Sequence, residues 1–434
     1  MLKGRIQALI FDPIRSFQMM HIMKQGAVFL SGIILAFSHW SIEDIGFLEW
    51  LFFLAYSFSY FWISGILQGF LASNDRSTNR EGGLIWSVFL VLSGLGLLTW
   101  LAFVITGVVY DGSDDHALLT FILFGGWSCF NIVGTYFPYV LYVRQKIKWL
   151  NIYNAFYLMT YISIFISLAI LQYDWYILLS LLFLFGCIQF AVLIAVIFSI
   201  SSPVYDKRLI INLVKEYLPL IGYVGIGGLA TVFDGWLIHL YFSDSEVFAV
   251  YRYGARELPL SLAMAAAFSH AMVPYLSDNQ ENGLFQLRKR SKRIMHILFP
   301  ISILLLLLSG DLFRWLYADR FEASVPIFDL MLLLVISRMV FSHTLLIAFK
   351  KNTFIFKVSL VELGVNIVLS VIFIQWFGIL GVVLATIIAY AIEKIIFGVR
   401  VHREFNLSLA DYTSVKTWAG YSGVLLISYL VKYL

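Results

Sequence analysis

Residues 175–200 read WYILLSLLFLFGCIQFAVLIAVIFSI, a run with no charged side chain. A helix needs about 20 apolar residues to cross the roughly 30 Å hydrocarbon core of a bilayer, so this run is long enough. Its apolar residues are continuous rather than alternating, which argues against a barrel strand. In lipid a helix satisfies its own backbone groups. Directly after it comes SSPVYDKRLIINLVKE at 201–216, a polar break. Long apolar runs and short polar breaks alternate along nearly the whole chain. The expected fold class is therefore an all-α integral membrane protein.

Working outward, spans are predicted upstream at 21–40, 45–71, 83–108, 117–142 and 149–172. Downstream they fall at 217–242, 248–275, 294–317, 325–348, 353–376 and 378–399. This organisation predicts an N-terminal six-helix bundle over 1–200, a cytoplasmic linker over 201–216 and a C-terminal six-helix bundle over 217–400. A segment over 401–434 follows, with an extra C-terminal helix at 417–431 as a candidate thirteenth span. Residues 4–20, mixed in polarity, are expected to form an interfacial helix, and no cleavable signal peptide is expected. Composition agrees: 61% of residues are hydrophobic and 13% charged, against about 25% charged in soluble domains. Trp40, Trp50, Trp149, Trp175 and Trp315 lie near span ends, where an amphipathic ring suits the headgroup layer. Cys129 and Cys187 both lie inside apolar runs, so no disulfide framework is expected.

The loops alternate in charge. Lys3, Arg5, Arg15 and Lys24, then Arg76 and Arg80, then Arg144, Lys146 and Lys148, and later the run 288–293, fall on one side. Glu43 and Asp44, Asp111, Asp114 and Asp115, Asp174, then Asp244 and Glu246 fall on the other. Cytoplasmic loops retain Lys and Arg, so the N-terminus is expected in the cytoplasm. The basic run is a topology determinant with anionic-lipid contact as a secondary role, and nucleic-acid binding is not expected. SIEDIGFLEW at 41–50 and SDSEVFAVYRY at 243–253 share an acidic loop leading into the second helix of each set. The spacing implies a parallel pseudo-twofold repeat whose axis runs along the membrane normal.

Ionisable residues within spans are costly and usually face a bundle interior or a water-filled cavity. The candidate substrate-binding residues are Glu49, Asp234, Arg252, Arg256, Glu257 and Arg338, with Lys24 near the cytoplasmic interface, where snorkelling is the plainer reading. Arg252 and Arg256 are four apart and so share one helix face. The bland alternative is salt bridging among Asp234, Glu257 and the arginines. The functional one is an anion site, because the planar guanidinium fork suits phosphate. Asp311 and Arg314 read as a local pair. His21, His239, His270 and His343 show no one-turn ligand spacing, so neither a metal site nor a cofactor is proposed. No nucleophile elbow, phosphate loop or exposed carboxylate pair appears, so no catalytic residues are assigned and no enzyme is expected.

The stretch FDGWLIHLYFSDSEVFAVYRYGARELPLSLA at 233–263, SIEDIGFLEW at 41–50 and MVPYLSD at 272–278 resemble polysaccharide transporters. These are members of the multidrug, oligosaccharidyl-lipid and polysaccharide exporter superfamily. Asp234, Ala249, Tyr251 and Ala255 occupy places in the family pattern. The resemblance implies two bundles around a cavity lined by spans one, two, seven and eight, and alternating access between its two openings. It implies flipping of a lipid-linked oligosaccharide, such as an undecaprenyl-pyrophosphate-linked glycan, across a bacterial inner membrane. Such transport serves cell-surface polysaccharide synthesis, for example of lipopolysaccharide O-antigen. Implied partners are that substrate, membrane lipids, a coupling ion (H+ or Na+) and glycan-assembly proteins. Many members have fourteen spans, a departure that bears on any C-terminal lipid-tail groove. A cation-coupled multidrug antiporter of the same fold is the alternative, and a membrane-embedded glycan polymerase or ligase a third, disfavoured by the short external loops.

Overall fold

The computed structural model describes residues 12–73, 81–110, 115–200, 206–256 and 259–434. Among them the chain is helical with no strand. The first six predicted spans become α1 (Pro13–Ala36), α2 (Ile42–Ser73), α3 (Glu81–Tyr110), α4 (Asp115–Gly134) with the short α5 (Phe137–Val143), α6 (Ile147–Leu171) and α7 (Trp175–Ile200). The seventh and eighth become α8 (Lys207–Phe242), then α9 (Ser245–Gly254) and α10 (Pro259–Asp278). The ninth is α11 (Gln280–Tyr317), and the tenth is divided into α12 (Val325–Leu332), α13 (Leu334–Arg338) and α14 (Ser342–Ala348). After α15 (Asn352–Phe377) and α16 (Ile379–Phe405) come the single turn α17 (Leu409–Tyr412) and α18 (Val415–Tyr433). Among the described residues, ten helices are long and apolar enough to cross a bilayer. The pair Glu322–Arg338 and Ser342–Ala348, bent by 45°, makes up to eleven. The protein is an all-α, multi-span membrane protein.

Local chemistry sets the helix ends. Asp12 Oδ1 accepts from the Arg15 amide at 3.0 Å, and Pro13 occupies the first turn of α1, where its missing N–H is not needed. Pro138 does the same for α5, so in the fourth span it restarts a helix after a break instead of kinking a continuous one. Asp206 Oδ1 accepts from the Arg208 and Leu209 amides at 2.9 and 3.2 Å, so the polar stretch from 207 winds into the opening turns of α8. Gly378, at φ 58° and ψ −138°, makes the reversal between α15 and α16 in one residue, a conformation closed to other side chains.

The chain divides into two compact units: residues up to Ser41 with Trp50–Gly228, and Ile42–Glu49 with Leu229–Leu434. In the first, α4 packs between α3 and α7, and α1 packs on α6. The Trp100 and Trp175 indoles donate to the Ile122 carbonyl and to Thr120 Oγ1, each at 3.0 Å. In the second, α15 packs on α16, α11 on α10 and α18, and α12 on α9 and α16. Trp149 and Trp315 are exposed, as interfacial anchors are. Trp40 and Trp50 are buried instead, Trp40 against Trp175 at 5.1 Å, which makes them core packing.

Candidate functional site

The site grows from the start of α9. Asp244 Oδ1 accepts from the Glu246 and Val247 amides at 2.7 and 3.4 Å, which caps the helix and sets its entry. At the other end of α9, Ala255 closes the helix. Across from it, α2 runs close: a Cβ on Gly46 would collide with the Ser245 carbonyl, so only glycine lets the two backbones meet. One turn further along α2 stands Glu49, 3% exposed.

Glu49 draws both arginines. Arg256 Nη2 pairs with Glu49 Oε1, and Arg252 Nε lies 3.6 Å from Glu49 Oε2. Arg252 is in the last turn of α9 and Arg256 just beyond its end, so a helix stop places both guanidiniums on one carboxylate. The Arg256 guanidinium also sits 4.3 Å from the Tyr253 ring centroid, and that ring stacks on Phe321 at 3.8 Å. A guanidinium over an aromatic face gains from the ring quadrupole. Two arginines against one glutamate leave this triad with one formal positive charge. The Arg256 side chain is 14% exposed and that of Arg252 30%, so Arg252 is the more accessible of the two.

The other candidates lie elsewhere. Asp234 on α8 accepts from Thr386 Oγ1 at 2.8 Å and from Ser370 Oγ at 3.4 Å. Asn366 Nδ2 donates to Thr386 Oγ1 at 3.0 Å. Asn366 and Ser370 are fully buried, and the Asn366 Oδ1 has no hydrogen-bond partner among the described residues. Asp234 thus joins hydroxyls and an amide, where the sequence suggests the arginines. Three oxygen-bearing side chains around one carboxylate have the donor set of a hard monovalent cation or of a proton shared with hydroxyls. Arg338 is half-buried and ends α13, at the break in the tenth span. Lys24, on α1 in the first unit, lies 5.3 Å from the Tyr157 ring centroid. Glu257 lies outside the described residues. Arg314 meets Asp319 at 2.8 Å, closer than its expected partner Asp311 at 3.9 Å.

One cluster escaped the sequence reading. Asp329 on α12 is fully buried and accepts from Lys432 Nζ at 2.7 Å and from the Tyr433 hydroxyl at 2.6 Å. Lys432 Nζ also donates to the Leu306 carbonyl at 2.8 Å and to Ser309 Oγ. An acidic residue inside the apolar run 325–335 was the available signal. Among the described residues no three His, Cys, Asp or Glu side chains gather as a metal site.

Solved structures share this architecture across nearly its full length. One, a lipid II flippase MurJ in an inward closed conformation, is 19% identical, covers 95% of this chain and 92% of its own, and has a TM-score of 0.68. An inward-facing multidrug resistance MATE family transporter of the MOP superfamily is 13% identical over 88% of this chain and 94% of its own, with a TM-score of 0.66. The chain has the fold of these exporters. A MOP superfamily transporter from Pyrococcus furiosus, described as having a binding pocket of reversed polarity, matches at 10% identity over 92% and 97%, with a TM-score of 0.61. This is the exporter fold that the resemblance implied. No protein-family model and no curated protein matches the sequence.

Proposed function

We propose that the protein is an alternating-access transporter that flips an anionic lipid-linked oligosaccharide, of the undecaprenyl-pyrophosphate class, across a bacterial inner membrane. The observation that carries this reading is the Glu49–Arg252–Arg256 triad, which brings two guanidiniums, each a planar fork suited to a phosphate, to one place. In the empty state Glu49 holds the arginines in place of the substrate; an arriving pyrophosphate competes for them. In this reading the N-terminus is cytoplasmic, and the bundles 1–200 and 217–400 rock about the segment 201–216. The Asp234, Asn366, Ser370 and Thr386 cluster holds the coupling ion, Na+ or H+.

The test is flipping of a fluorescent polyprenyl-pyrophosphate oligosaccharide in proteoliposomes, together with head-group binding, per folded molecule. Losing one charge-assisted contact of about 1.5–3 kcal/mol weakens binding about tenfold or more in Arg252→Gln. Arg252→Lys restores it only in part, because a point charge keeps attraction but not the fork. Undiminished binding in both Arg252→Gln and Arg256→Gln removes these residues from the substrate site. A second reading, a cation-coupled drug antiporter, is favoured by the buried Asp234. It requires that an organic cation, and not the anionic lipid, drive the exchange.

A further inference from the structure

The first unit carries a groove that the transport proposal does not use. It has a volume of about 410 Å³ and lies among α5, α6 and α7, within the range of about 300–1,000 Å³ typical of ligand sites. Its walls are apolar and include Leu141, Trp149, Phe156 and Val192. Trp149, Phe156 and Val192 are exposed on the outside of the unit, so the groove opens laterally, towards lipid. The lining side chains that carry polar groups include Tyr153 and Ser199, whose hydroxyls donate to Gln189 Oε1 and to the Val196 carbonyl, and Gln189 and Lys146.

Gln189 is 4% exposed. Its Oε1 accepts from the Tyr153 hydroxyl at 3.2 Å, while its Nε2 has no hydrogen-bond partner among the described residues. A buried amide N–H without an acceptor is costly, so an occupant that brings an acceptor is favoured over plain hydrocarbon. Lys146 stands in the α5–α6 connection between Arg144 and Lys148, a short basic segment beside the groove. An apolar slot, one buried donor and a basic rim match the order of groups in a glycerophospholipid: acyl chain, ester carbonyl, phosphate. A polyprenyl phosphate has no carbonyl at that place.

We infer that this groove is a binding site for an anionic glycerophospholipid, with one acyl chain against Trp149, Phe156 and Val192. Its ester carbonyl accepts from Gln189 Nε2 and its phosphate faces Lys146. Basic pockets between helices are suited to acidic headgroups, which add electrostatic attraction to the burial of the chain. The site belongs to the first unit and the arginine triad to the second, so either proposal can fail while the other stands.

The experiment uses the full chain in phosphatidylcholine nanodiscs doped with phosphatidylglycerol carrying a photoactivatable group in one acyl chain, with adducts mapped by mass spectrometry. Adducts should concentrate in residues 137–156 and 188–199, and the same label on phosphatidylcholine should give fewer. Lys146→Gln should lower the phosphatidylglycerol adducts about fivefold, and Val192→Trp, which fills the groove, should remove them. Both positions are exposed, so folding is retained. The inference is overturned by adducts spread evenly over the lipid-facing helices, or by undiminished labelling in both variants. It is equally overturned if unlabelled polyprenyl phosphate competes better than unlabelled phosphatidylglycerol.

Discussion

At the scale of single residues, the second unit depends on charges that lack water. Arg256→Gln leaves Glu49 buried with the more distant Arg252 as its ion-pair partner among the described residues. Breaking a buried pair on one side costs about 3–5 kcal/mol, and the partial exposure of Arg256 puts this case at the lower end. The expected result is a clear fall in folded protein after detergent extraction, read by size-exclusion yield and thermal unfolding. Glu49→Gln in the same chain should recover most of it, because the stranded charge is then gone. Asp234→Asn is expected to leave folding near wild type and to abolish the ion dependence of transport, measured by imposing Na+ or proton gradients on proteoliposomes. The arginines were legible in the sequence because a charge inside an apolar run stands out. Glu49 stood out for the same reason, but its pairing with them did not, since it is 207 residues from Arg256 and no spacing rule links two helices so far apart. Asp234 looked the natural neighbour, yet its side chain is held by Thr386 and Ser370 on helices that carry no matching charge at those positions.

At the scale of elements, two features hold helices in place. Gly46→Val should drive α2 away from the start of α9 and so pull Glu49 from both arginines, lowering thermal stability more than Gly26→Val, where a Cβ meets open space. The second feature is the tie of α18 to α11 and α12. Lys432→Met strands the buried Asp329 and should lower the unfolding temperature, whereas Lys432→Met with Asp329→Asn should recover it. Trp418, whose indole donates to the Ile336 carbonyl at 2.9 Å, fastens the other end of the same helix. Helix type and order were readable from run length alone. The break of the eighth span and the division of the tenth into three were not. A run of apolar letters looks the same whether its helix is continuous or stops and restarts, and only tertiary partners such as Glu49 decide. A lysine in the last turn of an apolar run likewise looks like a snorkelling one until its buried aspartate is found.

At the scale of the whole molecule, the expected orientation is tested with single cysteines and a membrane-impermeant reagent on intact cells. Ser243→Cys, exposed between α8 and α9, should react, and Lys292→Cys should not. Ser291 beside it is fully buried and so would report nothing, and Ser113 lies outside the described residues. Leu434→Cys decides whether α18 crosses the membrane, since an odd number of crossings places it outside. Labelling of Lys292→Cys in intact cells would reverse the orientation. The long sequence separation within the triad also sets a schedule for biosynthesis. A ribosome adding about 5–20 residues per second takes roughly 10–40 s to pass from Glu49 to Arg256, 207 residues later. Throughout that interval the nascent chain holds an acidic side chain in or beside the bilayer with its counter-charge not yet made. Chains arrested before Arg256 are therefore marked as unfinished by an unanswered carboxylate, the kind of defect that membrane proteases and insertase chaperones can sense.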